Sequence, residues 1–259
     1  MSLDQTVADD DDILEFLDDL LEPSGFDDHG PNGLQVPGRR QVEHVVTGVS
    51  ASAELFVRAR AADAGLVLVH HGLFWERQPR TLTRTGAARL RVLLDAHMGL
   101  AAYHLPLDAH PEVGNNALIA DGLGCVHREP FGVHRGRTIG FVGEFAGEGL
   151  PAPELLERVA SLTCREPLVF ASGPAHIRRV GIVSGGGAGS LEEAAAAGVD
   201  AFLTGEPSEP AMAQAREACL HFIAAGHYAT ETFGVRALGE RLAERFAVGH
   251  EFIDLPNPV

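Results

Sequence analysis

Two adjacent histidines, His70 and His71, follow the apolar segment Gly65–Val69 and precede a glycine. Two imidazoles at the end of a buried strand cost desolvation without a packing benefit, and neutral imidazole is the commonest side-chain ligand of zinc, iron, nickel or copper. Successive side chains of a strand point to opposite faces, so each histidine can face one of two neighbouring metals. The alternative is a hydrogen-bonded pair in the core, and the doublet alone does not separate the two.

A carboxylate, Asp108, lies in the proline-flanked segment Leu105–Pro111. Pro106 and Pro111 exclude a continuous helix, so we predict a fixed loop, which holds a carboxylate better than the mobile surface of a helix does. The equally weighted alternative is that Asp108 is a turn or N-cap residue before a helix beginning at Asn115.

His227 and Glu231 are four residues apart in GHYATE, where a helix is predicted to begin. If the helix has begun by His227, both side chains lie on one face and can bind one metal or two adjacent metals. An exposed helical pair is the more common outcome of this spacing. The three segments each follow a predicted strand and together supply three imidazoles and two carboxylates. That set suits two metals that share a bridging carboxylate and a water.

Two further residues are candidates near such a site. His104 precedes Asp108 by four residues, as His227 precedes Glu231. Glu206, in TGE, stands at the second-half counterpart of the strand end that carries the histidine doublet. Both are candidates for proton transfer.

Other eye-catching segments carry less chemistry. Gly185–Gly189 matches no phosphate-binding motif, which favours a structural loop over a phosphate cradle. Asn32–Gln35 lies between two prolines and predicts a turn. Phe74 and Trp75 follow the histidine doublet and are interpreted mainly as packing residues, with the wall of a pocket as the alternative.

Short β-rich runs alternate with Ala-, Leu- and Glu-rich helical patterns along the chain, which predicts an α/β fold. In such folds ligands bind just beyond the carboxyl ends of strands. The predicted strands are His44–Ser50, Leu66–Val69, Leu100–Tyr103, Thr138–Glu144, Arg179–Ser184, Ala201–Thr204 and Leu220–Ala224. The predicted helices lie near residues 10–21, 51–63, 86–97, 115–121, 153–160, 189–197, 207–218 and 229–245.

The two halves of the chain share a glycine spacing. Gly65 follows Gly48 by 17 residues and Gly72 follows Gly65 by 7, and the second half repeats these intervals, at an offset of 133, at Gly181, Gly198 and Gly205. We interpret this as two copies of a β-α-β unit, in halves 1–130 and 131–259 that form one compact body. The alternative is two ordinary units that share helix-capping glycines.

The charge is strongly acidic, with 36 acidic residues against 20 basic residues and a net charge of −16. All the basic residues are arginine, which favours a salt-loving host over the alternative of a lysine-poor proteome with GC-rich codons. The charge argues against binding nucleic acid through a general basic surface. The sequence has no apolar run long enough for a membrane span and no secretory signal, so we expect a cytoplasmic location. Three scattered cysteines and the lack of GxSxG suggest neither a disulfide framework nor a catalytic nucleophile.

Five motifs between residues 31 and 240 carry a family resemblance: PNGLQVPG, HHGLFW, YHLPLDAHPEVGNNALIA, TGEPSE and GHYATETFGVRALGE. They resemble the Nif-three-like family of dinuclear metal proteins, whose members are often called GTP cyclohydrolase I type 2 homologues, in its short form without a central insert. The resemblance implies two similar intertwined α/β halves with a metal site at their interface. It also implies self-association as a toroidal homohexamer, a trimer of dimers.

The resemblance further implies the site residues. The metal ligands would be His70, His71, Asp108, His227 and Glu231, holding two divalent ions. His104 matches a family position near the metals. We therefore expect a metal-dependent hydrolase that acts on a nucleotide or phosphoester, with His104 or Glu206 moving a proton. A non-catalytic metal-binding or metal-handling assembly protein is the alternative, and zinc, iron, manganese, nickel and cobalt all remain open.

Overall fold

The computed structural model describes residues 7–79 and 81–259. Their contacts define two compact units, each discontinuous in sequence. The first unit comprises Met1–Leu107 and Gly234–Leu255, and the second comprises Asp108–Phe233 and Pro256–Val259. This division differs from the continuous halves 1–130 and 131–259 predicted from the sequence. A strand near the C terminus pairs inside the first unit, and residues 108–130 belong to the second unit.

Strands and helices alternate along most of the chain, as the sequence predicts. The strands are β1 (Ala8–Asp9), β2 (Gly33–Val36), β3 (Gln41–Val42), β4 (His44–Ser50), β5 (Leu66–His71), β6 (Gly99–Ala102), β7 (His127–His134), β8 (Arg137–Glu144), β9 (Leu150–Pro151), β10 (Leu168–Phe170), β11 (His176–Ile177), β12 (Arg179–Val183), β13 (Ala201–Thr204), β14 (His221–Ala224) and β15 (Gly249–Phe252). The helices are α1 (Asp10–Leu21), α2 (Ala53–Ala61), α3 (Arg84–Asp95), α4 (Leu105–Ala109), α5 (Asn115–Leu123), α6 (Ala152–Thr163), α7 (Leu191–Ala196), α8 (Ala211–Glu217), α9 (His227–Thr230) and α10 (Thr232–Phe246). Within the described part of the chain, no helix combines the length and apolarity needed to cross a membrane.

The first unit is built on a five-stranded sheet in the order β15-β4-β5-β6-β2. The first four strands are parallel, and β2 pairs antiparallel with β6 at one edge. The central strand β5 is an uninterrupted apolar run up to its two histidines, as expected for a parallel strand covered on both faces. Leu55 and Phe56 of α2 and Leu93 of α3 belong to the same buried cluster as the side chains of this sheet. The histidines therefore follow directly on the apolar core.

The second unit is built on a six-stranded sheet in the order β10-β14-β13-β12-β8-β7. Its three central strands, β12, β13 and β14, are parallel, and the other pairings are antiparallel. Ser184 follows β12, Gly205 follows β13 and Ala225 follows β14, and each lies next to a candidate or glycine-rich segment. The candidate functional residues thus lie just beyond the carboxyl ends of parallel strands, as ligand-binding residues do in other open α/β sheets.

The repeated glycine spacing corresponds to an equal strand register in the two units. Gly48 of β4 lies opposite Val69 of β5, and Gly181 of β12 lies opposite Phe202 of β13. The partners are 21 residues apart in both pairs. Each unit therefore contains a β-α-β element of the same register.

Two local predictions were wrong. The segment at Leu105 was expected to be a loop, but it forms the short helix α4. Pro106 occupies the first turn of this helix, where a backbone N–H has no intrahelical acceptor to lose. Residues 32–35 were expected to form a turn, whereas Gly33–Val36 is the edge strand β2. Flanking prolines are compatible with an edge strand as well as with a turn.

Gly239 of α10 packs against a histidine ring of β15. A Cβ added to Gly239 would lie 1.9 Å from His250 Nε2, which is itself 2.9 Å from Thr47 Oγ1. We expect Gly239→Ala to lower the free energy of unfolding by about 1–3 kcal/mol, because overpacking this ring outweighs the better helix propensity of alanine. Equilibrium urea unfolding measures the change.

Gly86→Ala in α3 is the matched control. The atom nearest to an added Cβ is Thr83 Oγ1 at 3.4 Å, so the methyl group fits. We expect this variant to gain about 0.5–1 kcal/mol from reduced backbone entropy of the unfolded chain. A Gly239→Ala protein that is stabilised as much as Gly86→Ala would contradict the packing argument.

Candidate functional site

Three histidines meet at the carboxyl ends of β5 and β6 in the first unit. His70 and His71 are the last residues of β5, and His104 follows β6 after Tyr103. One ring nitrogen from each of His70, His71 and His104 lies within 4.8 Å of the other two. Imidazoles this close can share a cation through their lone pairs, and imidazole donors suit borderline transition metals. We call these three residues the histidine cluster.

The proton on His70 is assigned by its hydrogen bond. His70 is fully buried, and its Nδ1 lies 3.0 Å from the carbonyl oxygen of Tyr103. A carbonyl oxygen only accepts, so Nδ1 donates and the neutral ring keeps its lone pair on Nε2. The Nδ1 of His71 is likewise hydrogen-bonded, to Ser50 Oγ at 3.1 Å. Histidines that bind metals are typically oriented in this way through their second nitrogen.

His104 is held by a carboxylate that the sequence analysis missed. Its Nδ1 lies 2.7 Å from Asp28 Oδ1, and the Asp28 side chain is only 2% exposed. Asp28 Oδ2 also accepts from Asn32 Nδ2 and from the Leu105 N–H, both at 2.9 Å. Asn32 Oδ1 in turn accepts from the His104 N–H at 2.8 Å. The only signal in the sequence is that Asn32 belongs to the PNGLQVPG motif; Asp28 has none.

The surroundings of Asp28 favour its ionised form. Burial raises the pKa of Asp28, but the hydrogen bond and charge of His104 and the hydrogen bonds from Asn32 and the Leu105 N–H lower it more, to about 2. The buried carboxylate therefore stays charged and keeps the Nδ1 proton on His104. His104 then presents Nε2 to the other two histidines.

This pKa shift predicts a loss of stability in acid. The pKa of Asp28 is about 2 in the folded protein against a reference value of 3.8, so its contribution is present above about pH 4 and is lost as the pH falls towards 2. A shift of nearly two units corresponds to about 2 kcal/mol. We expect wild type to lose this increment between pH 4 and 2, and Asp28→Asn to lose correspondingly less. Denaturant titrations at a series of pH values measure it.

Asp19→Asn, an exposed position on α1, is the control and should follow wild type. Identical pH dependence in Asp28→Asn and Asp19→Asn would show that the Asp28 carboxylate is not held as the hydrogen bonds indicate.

Gln35 and Gly72 order the chain that leaves the histidine doublet. Gln35 donates from Nε2 to the Pro31 carbonyl at 2.8 Å, and its Oε1 accepts from the Leu73 N–H at 2.8 Å. A Cβ at Gly72 would lie 2.2 Å from Gln35 Nε2. Glycine is therefore required after the two histidines because the glutamine side chain crosses that position.

Asp108 is a positioned carboxylate in the second unit. It is 5% exposed, and its Oδ1 accepts from Asn115 Nδ2 at 2.8 Å and from Ser184 Oγ at 3.1 Å. Asn116 Oδ1 accepts from the Ser184 N–H at 2.7 Å, which fixes the serine. The N-cap residue of α5 is Gly114, so the alternative role of Asp108 as the cap of that helix is not observed.

His227 lies between two carboxylates in the second unit. The helix α9 begins at His227, and the predicted spacing brings His227 Nε2 to 3.1 Å from Glu231 Oε1. On the other side, His227 Nδ1 donates to Glu206 Oε1 in a short hydrogen bond. Glu231 is buried at 3% exposure, whereas the Glu206 side chain is 38% exposed. Glu206, which was expected near the site as a candidate for proton transfer, thus contacts one of the candidate metal ligands.

The two carboxylates raise the proton affinity of this imidazole. Burial lowers the pKa of His227, but the hydrogen bonds and charges of Glu231 and Glu206 raise it more, to about 9. A proton on Nε2 then bridges to Glu231, in the position that a cation shared by the two side chains would take. The donor pair fits a divalent ion in place of that proton.

The glycine-rich segment packs against the pair formed by His227 and Glu231. Gly185 has a φ of +60°, and a Cβ there would lie 2.1 Å from Glu231 Oε1. The Gly185 carbonyl accepts from the Gly205 N–H at 2.9 Å and the Glu206 N–H at 3.0 Å. Gly185 thus positions both glutamates, and Ser184 before it contacts Asp108. Gly187–Ser190 form a 3-10 helix, so only the start of the glycine-rich segment is a loop.

The protein therefore consists of two α/β units that carry imidazoles and carboxylates just beyond their parallel strands. This combination is typical of α/β proteins that bind divalent transition metals. The chain belongs to the Duf34/NIF3 (NGG1p interacting factor 3) family, whose sequence model matches residues 8–258.

Relatives of known sequence and structure extend over almost the whole chain. The GTP cyclohydrolase 1 type 2 homolog of Pseudomonas aeruginosa is 46% identical over 246 residues, which cover 95% of this chain and 97% of that protein. The solved structure of protein ybgI, of unknown function, has a TM-score of 0.91 at 40% identity and covers 97% of this chain and 100% of that one. TTHA1606 from Thermus thermophilus has a TM-score of 0.87 at 38% identity, with coverages of 97% and 100%. The resemblance to this family is therefore confirmed.

Proposed function

We propose that the protein binds two divalent metal ions and hydrolyses a nucleotide or a phosphoester. The histidine cluster is the observation that carries this proposal, because its nitrogens lie within 4.8 Å of one another and His70 and His104 donate from Nδ1 to fixed acceptors. The proposed ligands are His70, His71, Asp108, His227 and Glu231. When bound, two such ions lower the pKa of a shared water and so supply a nucleophile near neutral pH.

The residues of this chain then have distinct roles. His104 donates from its protonated Nδ1 to the Asp28 carboxylate, so its Nε2 lone pair can accept a proton from a reacting group and return it. Glu206 accepts from Nδ1 of His227 and thereby leaves Nε2 directed towards Glu231, which makes it a positioning residue as well as a candidate for proton transfer. Self-association as a homohexamer belongs to the same proposal.

A turnover assay tests the hydrolase. Protein reconstituted separately with zinc, iron, manganese, nickel or cobalt is incubated with GTP and with bis(p-nitrophenyl) phosphate. We expect turnover with at least one metal, its loss in His70→Ala and Glu231→Ala, and a fall of about 10²–10⁴-fold in His104→Ala, in oligomers of unchanged size. His176→Ala, an exposed histidine, should retain full activity.

One result would replace this proposal with the alternative. Metal bound by the wild type and passed to an acceptor protein, without turnover of either substrate, would indicate a non-catalytic metal-handling protein. Turnover that survives removal of the proposed ligands would contradict the assignment of the site.

A further inference from the structure

An open cavity of about 540 Å³ lies in the first unit, between α3 and the segment that follows the histidine doublet. Its walls include the apolar side chains of Leu73, Phe74, Leu82 and Leu90. Phe74 and Leu82 are 39% and 66% exposed. The volume is that of a small-molecule site, and apolar side chains exposed around a concavity are typical of ligand binding.

A cation also lines this cavity. Arg89 contributes to the wall of the cavity. Its guanidinium is positively charged, which favours an anionic ligand. Thr83, the N-cap of α3, lines the same cavity and places the positive end of the helix dipole there. Both features favour negative charge.

We propose that this cavity binds an organic phosphate. The phosphate group is bound by Arg89, whose guanidinium matches phosphate oxygens, and a planar aromatic body packs between Phe74 and Leu82. The first residue of the cavity wall, Leu73, lies two residues after His71. The ligand would therefore be bound next to the segment that carries two residues of the histidine cluster. A role as a substrate subsite rests on the proposed function, whereas the binding itself does not.

The only tryptophan of the chain supplies the measurement. Trp75 directly follows Phe74, and its ring centroid lies 5.8 Å from that of His71. Metal-free protein is titrated with phenyl phosphate, and binding is followed by tryptophan fluorescence and by calorimetry. We expect saturable binding that Arg89→Gln weakens by about tenfold or more, as expected for loss of a charge-assisted hydrogen bond. Phe74→Ser, at an exposed position in the cavity wall, should also weaken the binding of phenyl phosphate, without any substitution in α3.

Arg91→Gln is the matched control, because it removes the same charge from an exposed position on the same helix. It should leave the affinity unchanged, and phenol and inorganic phosphate should each bind more weakly than phenyl phosphate. Equal weakening by Arg89→Gln and Arg91→Gln, inorganic phosphate binding as tightly as phenyl phosphate, or no saturable binding would overturn the proposal. Because no metal is present, this outcome is independent of whether the protein proves to be a hydrolase.

Discussion

The double variant His70→Ala/Glu231→Ala is expected to lose its transition metal. We expect wild type, purified without chelator or reconstituted, to bind about two ions per chain. Removing a residue that only hydrogen-bonds to a metal ligand costs roughly 10–100-fold in affinity, and removing two ligands should cost more. His70 is buried with its Nδ1 hydrogen-bonded to the Tyr103 carbonyl, and Glu231 is buried beside His227. Elemental analysis and competition with a chelator measure the loss.

The matched control removes one histidine and one glutamate from exposed positions. His176→Ala/Glu217→Ala changes the same residue types in exposed side chains and should bind metal as wild type does. Equal metal content in the two double variants would contradict the ligand assignment. Wild type that takes up no metal on reconstitution would remove the basis of the hydrolase proposal altogether.

Gly185→Ala is expected to disturb metal binding more than it disturbs folding. The added methyl would lie 2.1 Å from Glu231 Oε1 and 3.1 Å from His227 Nε2. The Glu231 carboxylate must then move, and we expect metal affinity to fall about tenfold or more. The backbone adds a second cost, because alanine at a φ of +60° is strained by about 1–2 kcal/mol.

Gly147→Ala is the control that separates the backbone strain from the displacement of the Glu231 carboxylate. Gly147 lies in the same unit, has a φ of +64°, and has no atom within 4 Å of an added Cβ. This variant should lose similar stability in thermal or urea unfolding but keep full metal affinity. If both variants bind metal equally well, the Gly185 loop does not position Glu231 for binding.

Much of the local structure could be predicted from the sequence. The helix α1 was predicted at residues 10–21 and is Asp10–Leu21, and the strand His44–Ser50 has the predicted bounds. Acidic residues at the start of a helix, apolar periodicity and β-branched runs are local signals, so they can be recognised without tertiary contacts. Helix geometry also predicted that His227 and Glu231 would lie together, which they do, although α9 ends at Thr230 and Glu231 lies between α9 and α10.

Other parts of the site depend on residues that are distant in sequence. Asp28 and His104 are 76 positions apart, and nothing in the spacing indicates that a carboxylate holds the ring. The role of Gly185 was equally invisible, since it follows from the Glu231 carboxylate lying against its Cα. The helix α4 was missed because a proline is a helix breaker in the interior but not in the first turn.

Residue type and local periodicity are enough to predict most of the helices, the parallel strands of both sheets and the side chains that offer imidazole and carboxylate donors. How each donor is held depends instead on tertiary contacts. The carbonyl of Tyr103 assigns the proton of His70, Asp28 keeps a proton on His104, and two glutamates raise the pKa of His227. Protonation and orientation follow from burial and from hydrogen bonds between segments far apart in the chain, which no local pattern encodes.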